Sequence, residues 1–164
     1  MSAVFSECGL YRYRLDRHLS DEGETLAAVL VNPSTADAAR DDQTIRKVQG
    51  FARRAGFGHL IVGNLFAYRS TDIKGLAAVE DPRGGFDNNK HLEAMIVEAD
   101  SVLFAWGASD KIPKKWRGCW TGVADIADRA GKQPLCLGVA KDGHPLHPMT
   151  LGYSRLWQPW KRPA

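Results

Sequence analysis

Four short apolar runs, separated by stretches with helical periodicity, constrain the fold more than any other feature of this chain. Each run is almost continuously apolar, which is typical of strands that are covered on both faces in a parallel sheet. Right-handed β–α–β crossovers join such strands. The sequence therefore predicts an α/β fold, a mainly parallel sheet with helices on both faces, with strands near residues 26–31, 60–64, 102–106 and 135–139.

Three amphipathic helices are expected between these strands, from apolar stripes within residues 45–55, 92–99 and 116–130. Asp41 or Asp42 would cap the start of the first helix, and Gly56 would end it. Asp87 and Asn88 are the possible caps of the second helix. These stripes are expected to pack on the sheet.

The N-terminal segment predicts a further strand. Tyr11, Tyr13 and Leu15 alternate with Arg12 and Arg14. This alternation is typical of a half-exposed strand at the edge of a sheet.

Length and composition fit one domain over residues 1–164, with 44% hydrophobic and 25% charged residues and a net charge of +3. Cys8, Cys119 and Cys136 are odd in number and lack metal-ligand spacing, so neither a full disulfide framework nor a four-thiolate metal centre is expected. Neither a leader segment nor a membrane-spanning stretch is evident. We expect a cytoplasmic protein with no cofactor, no metal and no membrane partner.

Unusual polar residues follow the predicted strands. The first strand runs into Asn32-Pro33-Ser34, the second reaches Asn64 and then Tyr68-Arg69, and the last leads to His144 and His147. Ligands of open α/β sheets bind outside the carboxyl ends of the strands. We therefore expect Asn32, Asn64 and His147 to line one cleft.

Each of these residues also has a purely structural interpretation. Asn32 before a proline is a common turn initiator. Asp41 and Asp42 are more often helix caps than acids. His144 and His147 are each held by a following proline, which suits a rigid loop that presents an imidazole, but an ordinary exposed histidine fits as well.

Several familiar chemistries lack their motifs. The sequence has no GxGxxG after the first strand and no GxxxxGK[ST], so a phosphate cradle of either kind is absent. It also has no GxSxG and no HExxH. Dinucleotide, P-loop, serine-hydrolase and zinc-protease functions are therefore disfavoured.

The chain resembles an uncharacterised bacterial family, domain of unknown function 1643, over nearly its whole length. Five segments carry the resemblance, and they lie at residues 11–15, 32–37 together with 41–42, 64–69, 105–107 and 143–148.

A more distant resemblance links the chain to the uracil-DNA glycosylase superfamily, and it implies a three-layer α/β/α fold around a short parallel sheet. Asn32-Pro33 is similar to the first motif of the mismatch-specific and single-strand-selective branches. Asn64 stands where that superfamily reads the pyrimidine edge. His147-Pro148 is similar to the last motif, and Leu151 stands at the place of the leucine wedge.

Three positions depart from that pattern. Ser34 replaces the expected glycine or tyrosine, and Met149 replaces the serine of the last motif. No aromatic residue stands where the base is stacked, and Ile45 is nearest.

The resemblance implies cleavage of an N-glycosidic bond to a damaged or modified base. Asn64 would read the base, and His147 would stabilise the leaving anion. Asn32 would orient a water, and Asp37 is the base that could deprotonate it. The remaining substrate-binding candidates are Pro33, Ser34, Tyr68, Arg69, His144 and Leu151.

The first helix carries a basic edge that suits phosphates, although a solvated helix face is an equally good interpretation. Three hypotheses stay open: a DNA glycosylase-like hydrolase, an enzyme that acts on free nucleotides or a modified base in the same cleft, and a non-catalytic nucleic-acid or nucleotide binding module. The expected partner is DNA or a nucleotide. The basic residues are Arg40, Arg46, Lys47, Arg53 and Arg54.

Overall fold

A seven-stranded sheet with helices on both faces forms the centre of the computed structural model, which describes residues 1–164. The strands are β1 (Ser2–Phe5), β2 (Arg12–His18), β3 (Thr25–Leu30), β4 (His59–Asn64), β5 (Ser101–Phe104), β6 (Leu135–Cys136) and β7 (Gln158–Pro159). The helices are α1 (Gln43–Arg54), α2 (Gly85–Glu98) and α3 (Trp120–Arg129). Short 3₁₀ turns lie at residues 73–78, 109–111, 114–116 and 148–150.

The centre of the sheet is parallel, as the apolar runs predict. The strand order is β1-β2-β4-β3-β5-β6-β7, and the pairs β4–β3, β3–β5 and β5–β6 are parallel. The outer pairs β1–β2, β2–β4 and β6–β7 are antiparallel. The fourth predicted strand is shorter than expected, because Gly138 has a φ of 119° and the chain leaves the sheet before it.

Two apolar cores, one on each face of the sheet, make three layers. In β3, Ala27 and Val29 face the core that is completed by α2 and α3. Leu26 and Ala28, which alternate with them, face the core that is completed by α1. Both faces of the central strands are therefore buried, which explains why their sequences are continuously apolar. The fold is α/β with an α/β/α layer order.

The prediction that the N-terminal segment is a half-exposed edge strand is wrong. β2 lies between β1 and β4, and Arg12 and Arg17 are buried. Val4 and Phe5 pair with Arg14 and Arg12, so β2 contains one extra residue between those partners. A bulge of this kind reverses which side chains face a given side of a strand. It brings Arg12 to the same side as Arg17, beneath the loop that leads into α1.

The helix boundaries also correct the sequence predictions. Gly84, with a φ of 82°, is the N-cap of α2, one turn before the expected Asp87 and Asn88. Asn88 is instead buried and donates from Nδ2 to the backbone oxygen of Asn64 at 3.1 Å. Trp116 lies in a 3₁₀ turn ahead of α3. None of the helices has the length and apolar character needed to cross a membrane.

Candidate functional site

A cleft of about 730 Å³ opens at the carboxyl edge of the parallel strands. We call it the edge cleft. It is bounded by the loop after β3, the first turns of α1, the loop before the 73–78 turn, and the 147–149 segment. Its polar lining consists of Arg12, Asn32, Ser34, Thr35, Asp41, Asp42, Gln43, Thr44, Arg46, Ser70, Thr71, Asp72 and His147.

Asn32 connects two walls of the edge cleft by hydrogen bonds. Its Nδ2 donates to the backbone oxygen of Ser70 at 2.8 Å and to that of Pro33 at 3.1 Å. The backbone N–H of Ser70 in turn donates to the oxygen of Pro33 at 2.8 Å. Since both amide hydrogens of Asn32 are used, its Oδ1 is left as an acceptor.

Arg12 also lines the edge cleft, although it is only 1% exposed. Its Nη1 donates to the backbone oxygen of Ala36 at 2.9 Å, and its Nη2 donates to Oδ1 of Asn64 at 3.3 Å. Nε has no partner. Burial lowers the pKa of Arg12 to about 10, while the charge of Asp42 acts in the opposite direction. The guanidinium keeps three N–H groups beyond the two bonds that it makes.

Asn64 lies beside Arg12, below the lining of the edge cleft. Its side chain is buried, and its Nδ2 has no partner. Of the three residues that were predicted to line one cleft, Asn32, Asn64 and His147, two do so. Asn32 and His147 line the edge cleft, and Asn64 reaches it through Arg12.

Asp37 does not line the edge cleft. Its Oδ1 accepts hydrogen bonds from the backbone N–H groups of Ala39 and Arg40, both at 2.8 Å. These bonds lower the pKa of Asp37. A carboxylate that caps its own turn is poorly suited to the role of catalytic base that the sequence assigns to it.

Asp41 and Asp42 lie in the edge cleft and differ in what holds them. Asp41 pairs with buried Arg17 at 2.7 Å and accepts from Nε2 of Gln49 at 2.6 Å. Asp42 caps α1 through Oδ1, which accepts from the N–H of Ile45 at 2.9 Å. The second oxygen of Asp42 makes no hydrogen bond within the chain, so of these two carboxylates Asp42 is the one with an oxygen free for a ligand.

His147 lines the edge cleft in one defined tautomer. Its Nδ1 accepts from the backbone N–H of Met149 at 3.3 Å, so the neutral ring carries its proton on Nε2. Burial lowers the pKa of His147, and the charge of Asp42 opposes this. Gly107, with a φ of 89°, allows the strand end to approach, and a Cβ there would lie 3.4 Å from the Cβ of His147.

His144 belongs to the apolar core rather than to the edge cleft. It is 5% exposed, and its Nδ1 accepts from Nε1 of Trp106 at 3.1 Å. Its ring also meets Trp120 edge-to-face, with centroids 5.2 Å apart. Burial lowers its pKa as well. Its contacts assign His144 a packing role, not the substrate contact that the sequence suggests.

Three more predicted residues lie outside the lining of the edge cleft. Tyr68 packs against Tyr11. Arg69 places its guanidinium 5.0 Å from the ring centroid of Phe5. Leu151 is buried against α1, so the exposed apolar side chain beside His147 is Met149. Pro33 and Ser34 do line the cleft.

Of the five basic residues predicted to form an edge of the first helix, one lines the edge cleft and two pack on Tyr153. Arg46 lines the edge cleft and donates to the backbone oxygen of Asp41 at 2.7 Å. Lys47 and Arg54 instead lie against the ring of Tyr153, at 4.2 and 3.9 Å from its centroid. Only Arg46 is placed to contact a ligand of the cleft.

Sequence reasoning did not identify Arg12 as a site residue, and Asp42 was recognised only as a possible cap. Asp42 lies at the end of a loop that follows a parallel strand, and ligands bind at such loops, so its position was a usable signal. No local pattern could have identified Arg12, because its burial depends on the bulge in β2. No group of three or more His, Cys, Asp or Glu side chains is placed to hold a metal ion.

Comparison with known proteins gives the family and nothing more specific. No curated protein and no solved structure matches the chain. A family model described as "Protein of unknown function (DUF1643)" matches residues 12–149, a span that contains every side chain discussed at the edge cleft. On this match, the chain belongs to the DUF1643 family.

Proposed function

We propose that the edge cleft binds a nucleobase and that the protein hydrolyses the N-glycosidic bond that joins this base to its sugar in DNA. The observation that carries the proposal is His147. It is a partly buried histidine of the cleft whose Nδ1 is occupied by a backbone N–H, so Nε2–H is free to donate. A donor fixed in this way suits the oxygen of a leaving base on which negative charge develops.

The other polar groups of the edge cleft favour a base with carbonyl groups. Arg12 and His147 offer hydrogen-bond donors, and Asn32 offers an acceptor, since its own amide hydrogens are used. Uracil and xanthine each present two carbonyl oxygens and a ring N–H, which complements this set. Cytosine presents an amino group in place of one carbonyl, and this donor would oppose the donors of Arg12.

The charge in the edge cleft favours a base over a phosphate. Arg12 and Arg46 bring positive charge, but Asp42 and Asp72 also line the cleft. The remaining carboxylate, Asp41, is already paired with Arg17. Because no surplus of positive charge remains, a neutral ring fits better than a dianionic phosphate.

In the proposed reaction, a water oxygen attacks the sugar carbon while the bond from that carbon to the base nitrogen breaks. The bonding electrons leave with the base, and the donors of His147 and Arg12 stabilise the resulting negative charge. The free oxygen of Asp42 orients the water and accepts its proton. The proton finally reaches the departing base, so water and the nucleoside give a sugar hydroxyl and a free base.

A panel of oligonucleotides tests the proposal. Single- and double-stranded DNA containing uracil, hypoxanthine, xanthine, 5-hydroxymethyluracil or unmodified cytosine is incubated with the protein, and base release is read as alkali-labile breaks. Free nucleosides and nucleotides form a second arm, since a cleft of about 730 Å³ also accommodates them. We expect release of at least one carbonyl-bearing base from DNA and none of cytosine. Turnover of free nucleosides alone would overturn the DNA proposal.

A further inference from the structure

A second groove, of about 610 Å³, lies on the other face of the sheet, between the beginnings of α2 and α3. We call it the Trp116 groove. Its side chains include Arg83, Phe86, Lys115, Trp116 and Cys119. None of its lining residues is acidic. This composition differs sharply from that of the edge cleft, where carboxylates offset the arginines.

Two cations lie near the ring of Trp116. The guanidinium of Arg83 is 5.0 Å from its ring centroid, and the ammonium of Lys115 is 4.8 Å from it. Arg83 also pairs with Asp81 at 2.9 Å, whereas Lys115 makes no ion pair. An indole with cations close to it is suited to a stacked base whose neighbouring phosphates contact the charges.

The groove continues into a basic and aromatic surface. Phe86 is 72% exposed, and the ammonium of Lys90, which is also 3.9 Å from Oδ1 of Asp87, lies 4.6 Å from its ring centroid. The segment before α3 adds Lys111, Lys114 and Arg117 close to Lys115 in the chain, with a single acidic residue, Asp110, beside them. The aromatic rings and the charges together match the alternation of bases and phosphates in a single strand.

The position of the groove relates it to the edge cleft. α1 follows β3, α2 follows β4, and α3 follows β5, so all three helices begin at the carboxyl edge of the parallel strands. α1 covers one face of the sheet, and α2 and α3 cover the other. The edge cleft and the Trp116 groove therefore both lie toward the carboxyl edge of the parallel strands, on opposite faces of the sheet.

We propose that the Trp116 groove binds single-stranded nucleic acid, with a base stacked on Trp116 and phosphates at Lys115 and Arg83. That the bound nucleic-acid strand is also the substrate of the edge cleft rests on the proposed function. The binding itself does not, because it requires no chemistry at His147 or Asp42.

Gly122 allows a test that spares the fold. It lies in α3 and lines the groove, and a Cβ built there meets nothing within 4 Å. A side chain at this position would therefore enter open space, and removing a helical glycine favours the helix. Gly122→Glu places a negative charge in the groove, and Gly122→Gln is the neutral control of the same size.

Binding is measured by fluorescence anisotropy with a labelled short single strand of deoxycytidine and deoxyadenosine, which lacks the bases proposed for the edge cleft. We expect wild-type affinity to fall as salt rises from roughly 50 to 200 mM. Gly122→Glu should weaken binding at least tenfold relative to Gly122→Gln. Trp116→Ala should weaken it by roughly 5- to 150-fold, and Lys115→Ala should reduce the slope of log affinity against log salt by about 0.7.

Three outcomes would overturn the proposal: no binding by the folded wild type at low salt, equal affinities of Gly122→Glu and Gly122→Gln, or tighter binding of the matching duplex than of the single strand. Because anisotropy on this strand involves no base release, such a failure leaves the edge-cleft proposal standing. Conversely, the protein could release no base and still bind the strand more weakly as Gly122→Glu than as Gly122→Gln. That result would support binding at the Trp116 groove and contradict the proposed hydrolysis.

Discussion

Arg12 and Asn64 are 52 residues apart in the chain, yet Nη2 of Arg12 donates to Oδ1 of Asn64 at 3.3 Å in the interior. The same guanidinium holds the backbone oxygen of Ala36. The strand β2 is thereby connected both to the end of β4 and to the loop that forms one wall of the edge cleft. A buried charge with no carboxylate partner thus connects the parts of the candidate site.

Arg12→Met should destabilise the protein by about 2 kcal/mol, because the backbone oxygen of Ala36 and Oδ1 of Asn64 lose a buried donor. The relief of a buried charge keeps the loss from being larger. Urea unfolding at pH 7 measures it. Arg40→Met, at an exposed position, is the control and should change stability by no more than about 0.5 kcal/mol. Equal effects of the two variants would show that the two buried bonds contribute little.

Asn64→Asp should be tolerated, because a carboxylate gives Arg12 the counter-charge that it lacks, whereas Asn64→Leu should cost about 2 kcal/mol. The pairing would hold the pKa of the new carboxyl below its unfolded value of about 3.9. Its stabilisation should therefore be present above that pH and be lost as pH falls toward about 3. Unfolding of both variants between pH 7 and 3 measures this, and a constant difference between Asn64→Asp and wild type would contradict the pairing.

The lowered pKa of His147, which burial causes, predicts a pH dependence of stability. Below the unfolded histidine pKa of about 6.5, the unfolded chain binds a proton before the folded protein does, so stability falls as pH falls. His147→Gln should show a smaller fall between pH 7.5 and 5 than wild type. His18→Gln, at an exposed position outside the cleft, is the matched control for the replacement of a histidine by glutamine. A His147→Gln curve parallel to wild type would mean that the imidazole titrates as in water.

Once base release is established, substitutions of Asp42 and of Asp37 should affect its rate differently. Asp42→Asn keeps the helix cap and removes the charge, so stability should change little while base release falls by at least about 100-fold. Asp42→Ala should in addition cost about 1 kcal/mol of stability. Asp37→Asn should leave base release within about threefold of wild type, because its carboxylate caps its own turn. A larger loss in Asp37→Asn than in Asp42→Asn would return the role of base to Asp37.

The sequence was informative where burial is dictated by local pattern. The apolar runs that became β3, β4 and β5 are continuous because both of their faces are covered, and α1 shows its cap and its terminal Gly56 in the expected places. The same topology brought Asn32 and His147 to one edge.

What the sequence could not predict depends on contacts between distant segments. The bulge in β2 buries Arg12, and no pattern around that residue indicates it. His144 and His147 have the same local context, each before a proline, and only Trp106 and the cleft distinguish their roles. Asp37 resembles a free acid in the sequence because the backbone groups that it binds become apparent only when its turn is formed.

The central claim is that His147 acts as a hydrogen-bond donor to a base that leaves from the edge cleft. The most direct test is the single-turnover rate of base release from uracil-containing DNA by wild type, His147→Ala and His18→Ala, with binding measured in parallel. We predict that His147→Ala slows release by about 100-fold or more while affinity for the DNA stays within about threefold, and that His18→Ala matches wild type. Equal rates for wild type and His147→Ala would contradict the claim.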